Sequence, residues 1–283
     1  KNAWLKGGFT SMTVLTNSDK QAKKSIWIVG ASSGIGASLV TALDEVNTQI
    51  FVSARNLNKI STLFPACASR IIPVELDVVD ESAVKEAIDK ISAHTTHLDS
   101  VIVNAGTCEY IDSVSVDVES VKRVMDTNFY GALNVINASL PLIREAKKIS
   151  IKPPQLVVVS SSVTYQSLPR AGAYGASKAA IRYMMECLKL DLQYEGIDIR
   201  LVSPGFVKTP LTDKNDFPMP FRISADEAAK RIVKGLKGKA FDIHFPKRFT
   251  FILKALACLP DSWRFKLIGK SSRHIDEHPE LNV

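Results

Sequence analysis

The sequence predicts an α/β fold in a single domain, on three observations. Short apolar runs rich in β-branched residues alternate with segments of helical spacing, and no composition break divides the 283 residues. The first run, 25–29 (SIWIV), passes directly into a turn with glycines at Gly30, Gly34 and Gly36, then into a helical pattern. Further on, a buried-type strand at 156–159 ends in three serines, and a helix opening at Tyr174 follows it. With 46% hydrophobic residues the chain can bury one sizeable core.

Composition narrows the function classes. The four cysteines, Cys67, Cys108, Cys187 and Cys258, are scattered without a C-x-x-C pair. That argues against a disulfide framework or a zinc site and fits a reducing, cytoplasmic setting. The net charge of +7 is unevenly spread. Residues 1–24 carry five lysines against one acid, residues 230–273 carry twelve Lys or Arg against two Asp, and the remainder is acidic. A basic tail on a mildly acidic body is not the pattern of a nucleic-acid-binding core. No apolar stretch of signal-peptide length lies within residues 1–24. Met12 reads as a natural start, so residues 1–11 are expected to be an expression leader, 12–246 the α/β domain and 247–283 a basic helical extension.

After the first strand, Ile35, Leu39, Val40, Leu43 and Val46 recur at helical intervals. Strand, glycine turn and helix together aim backbone N–H groups and a helix N-terminus at a pyrophosphate. Gly30 permits the tight turn, Gly34 lets a ligand approach the backbone, and Gly36 lets helix and strand pack closely. Ser32, Ser33 and Ile35 belong to the same cradle. The second strand, 49–54, runs into Arg55, where a site for NAD is expected to place a carboxylate against the ribose hydroxyls. A guanidinium at that spot suits a 2′-phosphate and stacks on adenine, so NADP is expected over NAD. The third strand, 71–76, closes at Asp77 and Val78; Asp77 either accepts from an adenine amino group or caps the helix at 81–91. The fourth, 100–103, ends in Asn104, Ala105 and Gly106, small residues that let a cofactor lie across the sheet.

An amphipathic segment, 118–143, is expected to be interrupted at Gly131 and Pro141. Asn128 inside it is a poor helix-interior residue, because its amide competes for backbone groups; composition alone makes it structural. In the next helix Tyr174 and Lys178 stand four apart, on one face. A free phenol titrates near ~10. An ammonium about 4 Å away, at an effective dielectric of about 20, favours phenolate by about 4 kcal/mol before desolvation is subtracted. The expectation is a tyrosine drawn toward neutral pH, exchanging a proton with a carbonyl or alcohol oxygen that a strand-end serine holds. That helix runs to about residue 194, and a sixth strand at 197–202 leads to the turn 203–210. The aperiodic stretch 211–222 is either a lid or a plain long loop. Ser224 reads as an N-cap with Asp226 and Glu227 in the first turn, and 240–245 makes a seventh strand.

Placed in this order, the pieces resemble the short-chain dehydrogenase/reductase family over residues 24–246. The carriers are Gly30-x-x-x-Gly34-x-Gly36, Asn104-Ala105-Gly106, Tyr174-x-x-x-Lys178 and Pro204-Gly205-x-Val207-x-Thr209. The resemblance implies a Rossmann-type, doubly wound, seven-stranded parallel sheet with the site at the carboxyl ends of its strands. It makes Asn128, Ser161, Tyr174 and Lys178 the catalytic tetrad, and 204–209 the nicotinamide-side turn. Ser161 is chosen over Ser160 and Ser162 because it lies thirteen residues before Tyr174, the family's usual interval. Tyr174 is then the acid in reduction and the base in oxidation, and Lys178 lowers its pKa and holds the nicotinamide ribose. Ser161 orients the substrate oxygen, and Asn128 supports a water-linked proton path. Two positions depart from the pattern: Val29 where the family often has Thr, and Val103 where it often has Asn.

The implied function is an NADP-preferring oxidoreductase acting on a small-molecule carbonyl or alcohol, and the resemblance implies a homo-oligomer. Its rival is a nucleotide-binding redox sensor or scaffold without turnover. Tyr165, Gln166, Leu168 and Phe206, with Phe217, Met219 and Phe221 of the lid, are expected to line a partly apolar substrate pocket. The tail between 247 and 273 sets aromatic and leucine residues among cations; it either packs as a helix on the domain or another subunit, or lies on an anionic membrane. His94-x-x-His97 and His274-x-x-x-His278 have no acid or cysteine cluster and read as solvated surface histidines, with no metal.

Overall fold

The computed structural model describes residues 23–65, 70–111 and 116–269. Seven parallel strands form the central sheet: β1 (Lys24–Val29), β2 (Thr48–Ala54), β3 (Ile71–Glu75), β4 (Ser100–Val103), β5 (Gln155–Val159), β6 (Asp198–Pro204) and β9 (Asp242–Phe245), in the order β3-β2-β1-β4-β5-β6-β9. The expected Rossmann-type architecture is the one observed. Alternate strand residues serve opposite faces, as the pleat requires. Trp27, Phe51, Val101, Leu156 and Ile199 pack with α3 (Glu81–Ser92), α5 (Gly131–Ile149) and α6 (Gly172–Leu192). Ile26, Ile28, Ile50, Ile102 and Val157 pack on the other face with α1 (Gly34–Leu43), α2 (Leu57–Leu63) and α7 (Ala225–Leu236). The strand order reverses between β1 and β4, opening a crevice at their carboxyl ends.

The amphipathic segment differs from expectation. It is helical throughout: α4 (Val118–Met125), one π-helical turn (Asp126–Tyr130), then α5 through Pro141 to Ile149. Val135, Ile136, Ile143 and Ala146 are buried on both sides of the proline, and that packing outweighs its local tendency to end a helix. Gly131 is a packing residue, since a Cβ there would lie 2.6 Å from Val78 Cγ2.

Residues 211–222 are fastened at both ends. Short strands β7 (Val207–Lys208) and β8 (Ile223–Ser224) pair in parallel, and Thr212 donates to Val207 O at 2.6 Å. Ser224 caps α7 by accepting from Glu227 N, as its sequence position predicts. The tail forms α8 (Lys247–Ala257), which buries Phe249, Thr250 and Leu253, and α9 (Asp261–Gly269), which buries nothing. His97 corrects the surface-histidine expectation: it is buried, with Nε2 3.3 Å from Asp99, while His94 is exposed. His274, His278, Cys67 and residues 1–11 lie outside the described residues. Among the described residues no group of His, Cys, Asp and Glu is arranged to hold a metal, and no helix is long and apolar enough to cross a membrane.

Candidate active site

The crevice between the carboxyl ends of β1 and β4 is a cleft of about 610 Å³. Its floor is shaped by glycine. Gly30 has φ +82°, and a Cβ there would meet Ala105 N at 2.5 Å; Gly34 has φ +54°, and a Cβ there would meet Thr209 Cγ2 at 2.8 Å. Gly36 lies beneath, where a Cβ would fall 2.2 Å from Gly30 O, so helix and strand touch backbone to backbone. Asn104 ties the two strand ends together, donating from Nδ2 to Gly30 O at 2.7 Å.

The N-terminus of α1 faces this floor with its amides free of side-chain capping: Ser33 is the N-cap but makes no side-chain cap bond, and the first turn holds no acid. Such an end attracts an anion. Ser32, Ser33, Gly34 and Ile35 line the cleft beside it. Arg55 lines the same cleft, exposed at the end of β2, next to Asp77 and Val78. Asp77 accepts from Val79 N at 3.2 Å, and Asp80, not Asp77, is the cap of α3. Bare amides, a glycine floor and a cation at one end fit a dinucleotide with its pyrophosphate on α1.

The opposite wall carries the candidate chemistry. Val159 ends β5, and Ser160 and Ser161 follow it along the cleft. The three serines separate by contact. Ser160 is buried, donating to Lys178 O at 3.2 Å, and Ser162 is buried in the 3-10 turn Ser162–Thr164. Ser161 lines the cleft with Tyr174, its Oγ accepting from Val163 N at 3.2 Å and its hydroxyl acting to lower the phenol's pKa. Tyr174 keeps part of its surface open to the cleft, and Lys178, one turn on, is buried with Nζ donating to Val159 O at 3.0 Å and 5.8 Å from the Tyr174 ring centroid. Asn128 sits in the π-helical turn, a local geometry that often marks functional positions. It accepts from Thr107 N at 2.7 Å and donates to Thr107 O at 2.8 Å and Ser177 Oγ at 2.9 Å.

The electrostatics overturn one expectation. Burial pushes the Tyr174 phenol up to about 12, offset only in part by the Ser161 hydroxyl, and Lys178 does not draw it toward neutrality. Burial also lowers the Lys178 ammonium to about 8. Desolvation outweighs the pair attraction because the same enclosure acts on both groups.

Asn104, Ala105, Gly106, Pro204, Gly205, Val207 and Thr209 line the cleft as expected; Thr107, Glu109, Arg123, Asp126, Thr127 and Leu211 line it without having been expected. Thr107, Asp126 and Thr127 adjoin predicted residues, whereas nothing local in the sequence marks Glu109 and Arg123, which meet as an ion pair at 2.7 Å. The four expected substrate residues do not line the cleft. Tyr165 is turned to β9, donating to Asp242 Oδ2 at 2.6 Å. Gln166 is buried and donates to Ser167, and Leu168 stands in the same loop. Phe206 packs on Phe217 and Phe249, so the apolar lid cluster sits beside the cleft and Gly205 is its point of contact.

Comparison with known proteins decides the family. The model of the short chain dehydrogenase family matches residues 24–218. The chain belongs to this family. This short-chain dehydrogenase is 33% identical over 237 residues to a Myxococcus xanthus protein described as an uncharacterized oxidoreductase, covering 83% of this chain and 92% of the relative. It is 27% identical to 11-beta-hydroxysteroid dehydrogenase 1A of Arabidopsis thaliana, covering 92% of this chain and 79% of that one. Its fold matches a Burkholderia cenocepacia short chain dehydrogenase crystallised with NADP, at a TM-score of 0.74 and 23% identity, over 87% of this chain and 97% of the other. The protein is an oxidoreductase of the NAD(P)-dependent short-chain dehydrogenase class.

Proposed function

We propose that this short-chain dehydrogenase interconverts a carbonyl and a secondary or primary alcohol, using NADP(H) in preference to NAD(H). One observation carries the reading: Ser161, Tyr174 and Lys178, from two separate segments, share the wall of a cleft whose far end holds Arg55. The bound dinucleotide supplies or accepts the hydride. Everything else falls to the chain. Ser161 holds the substrate oxygen against Tyr174. With a pKa of about 12, Tyr174 is a phenol at neutral pH and gives its proton to that oxygen in reduction; it takes one back in oxidation. Lys178, with a pKa near 8, is mainly an ammonium at pH 7, holds the nicotinamide ribose and stabilises the phenolate as it forms. Asn128 fixes the loop at Thr107 and extends a water-linked proton path toward Lys178.

Arg55 takes the 2′-phosphate, Asp77 and Val78 the adenine, and Pro204 to Thr209 the nicotinamide side. The aromatic lid cluster and the relative named as a hydroxysteroid dehydrogenase support a hydrophobic substrate. The free thiols Cys108, Cys187 and Cys258 support a reducing, cytoplasmic compartment. Tyr183 and Leu190, 72% and 64% exposed on α6, support self-association. Residues 12–246 form the catalytic unit and 247–283 an appended segment.

The reading is tested by NADPH oxidation over a panel of ketones and aldehydes. Tyr174→Phe is expected to lower kcat/KM by about 10²–10⁴-fold while dinucleotide affinity is kept. Equal rates in the two proteins would remove the mechanism. Arg55→Ala is expected to weaken NADPH binding by on the order of tenfold and leave NADH binding unchanged. An unaltered ratio removes the cofactor preference.

A further inference from the structure

The outer side of α8 and both sides of α9 expose large apolar side chains with nothing laid over them among the described residues, Trp263 and Leu267 one turn apart on one side of α9 and Phe265 on the other. On α8, Phe251 and Ile252 are 57% and 49% exposed, one turn after Lys247 and Arg248 on the same side. On α9, Trp263, Phe265 and Leu267 are 66%, 58% and 50% exposed, and the helix buries no residue at all. Residues 247–269 hold five cations against one acid, Asp261. Large apolar side chains gathered in this way mark an interaction surface.

We propose that this face rests in the plane of an anionic lipid bilayer, with its aromatic side chains in the headgroup boundary and its cations against lipid phosphates and carboxylates. Charge selects this occupant over a second copy of the chain. A two-fold pairing would set the patch against itself, cation facing cation, with a single acid on each side to offset them. Neither helix is long enough to span a bilayer, so each lies along the surface.

The placement bears on the substrate, and this step rests on the function proposed above. Aromatic contacts run inward from the face. Phe249, on the inner side of α8, meets the exposed Phe221 at 6.3 Å and Phe206 at 5.3 Å; Phe206 meets Phe217 at 6.0 Å, and Phe217 meets Tyr110 at 5.5 Å. Tyr110 lies within electrostatic reach of Tyr174. An apolar carbonyl or alcohol leaving the bilayer therefore meets an aromatic cluster beside the cleft, which touches the cleft wall at Gly205.

The test is co-sedimentation of the full chain, without substrate, with phosphatidylcholine vesicles and with vesicles containing phosphatidylserine. Binding is expected only to the anionic vesicles, falling as salt is raised. Phe251→Ser with Trp263→Ser should abolish it while turnover of a water-soluble carbonyl is retained. Arg248→Gln with Lys266→Gln should weaken it on the order of tenfold. No binding to anionic vesicles at low salt overturns the proposal, as does equal binding by the Phe251/Trp263 variant. It is also overturned by a mass increase that this variant abolishes without lipid binding, or by binding that emerges only after residues 270–283 are removed. Vesicle binding is read without catalysis, so an inactive site leaves this result intact, and absent binding leaves the reading of the site intact.

Discussion

Tyr174 shows how a residue pair legible in sequence can carry the opposite electrostatic sign in the fold. Spacing alone puts an ammonium beside a phenol and favours a lowered tyrosine; enclosure raises it to about 12 and brings Lys178 down to about 8. The lysine is then the group that titrates near physiological pH. Below about 8 it is an ammonium that can donate to ribose oxygens, and above that value the charge is lost. Dinucleotide affinity of the free enzyme is therefore expected to decline as pH rises through about 8, and fluorescence titration would follow it. In Lys178→Met binding is weak throughout and that limb disappears; a limb that persists in the variant assigns it elsewhere. Of the three serines that a count of residues chooses among, Ser160 and Ser162 are buried, Ser160 donating to Lys178 O, while Ser161 stands on the cleft wall with Tyr174.

At the scale of elements, the β1 turn and α1 were the most legible part of the chain. A glycine that admits a backbone contact leaves its mark in the residue type itself, and Gly36 is the sharpest case. Gly36→Ala forces a methyl against Gly30 O and Ala31 Cα, at 2.2 and 2.9 Å. Overpacking of this kind costs about 1–3 kcal/mol, so Tm is expected to fall and dinucleotide binding with it; thermal unfolding with and without cofactor would measure both. Unchanged melting would mean that α1 moves away from β1 at little cost. Continuity of the helix through Gly131 and Pro141 was not legible, since burial of Val135 and Ile143 against the sheet decides it and local propensity points the other way. Tyr165 was misplaced for a related reason. Its sequence neighbourhood is the serine cluster, yet its hydroxyl belongs to a strand 77 residues further on.

For the whole molecule, seven strand segments were legible from alternation and the position of the cleft from the family resemblance, while the strand order β3-β2-β1-β4-β5-β6-β9 and the partition of the surface were not. Among the exposed apolar side chains, two groups share an element: Tyr183 and Leu190 on the outer side of α6, and those of α8 and α9. Only the second is dense in cations, so the two suit different partners. If the α6 face joins copies of the chain, Tyr183→Glu should lower the mass seen by light scattering toward the 31.0 kDa of one chain. An unaltered mass would place self-association on another surface.

One carboxylate connects these scales. Asp242 Oδ2 receives both the Tyr165 hydroxyl at 2.6 Å and the Arg182 guanidinium at 2.9 Å. Burial alone would raise this carboxyl; Tyr165, Arg182 and Ser203 together more than reverse that and hold it below its ordinary value. Tyr165 follows the Ser161 turn, and Arg182 stands one turn past Lys178. Every residue that borders the cleft lies at or before Thr212. A ribosome that has just emitted position 212 has thus delivered the full set of parts, but the fastening that holds serine and tyrosine in register arrives only with the last strand.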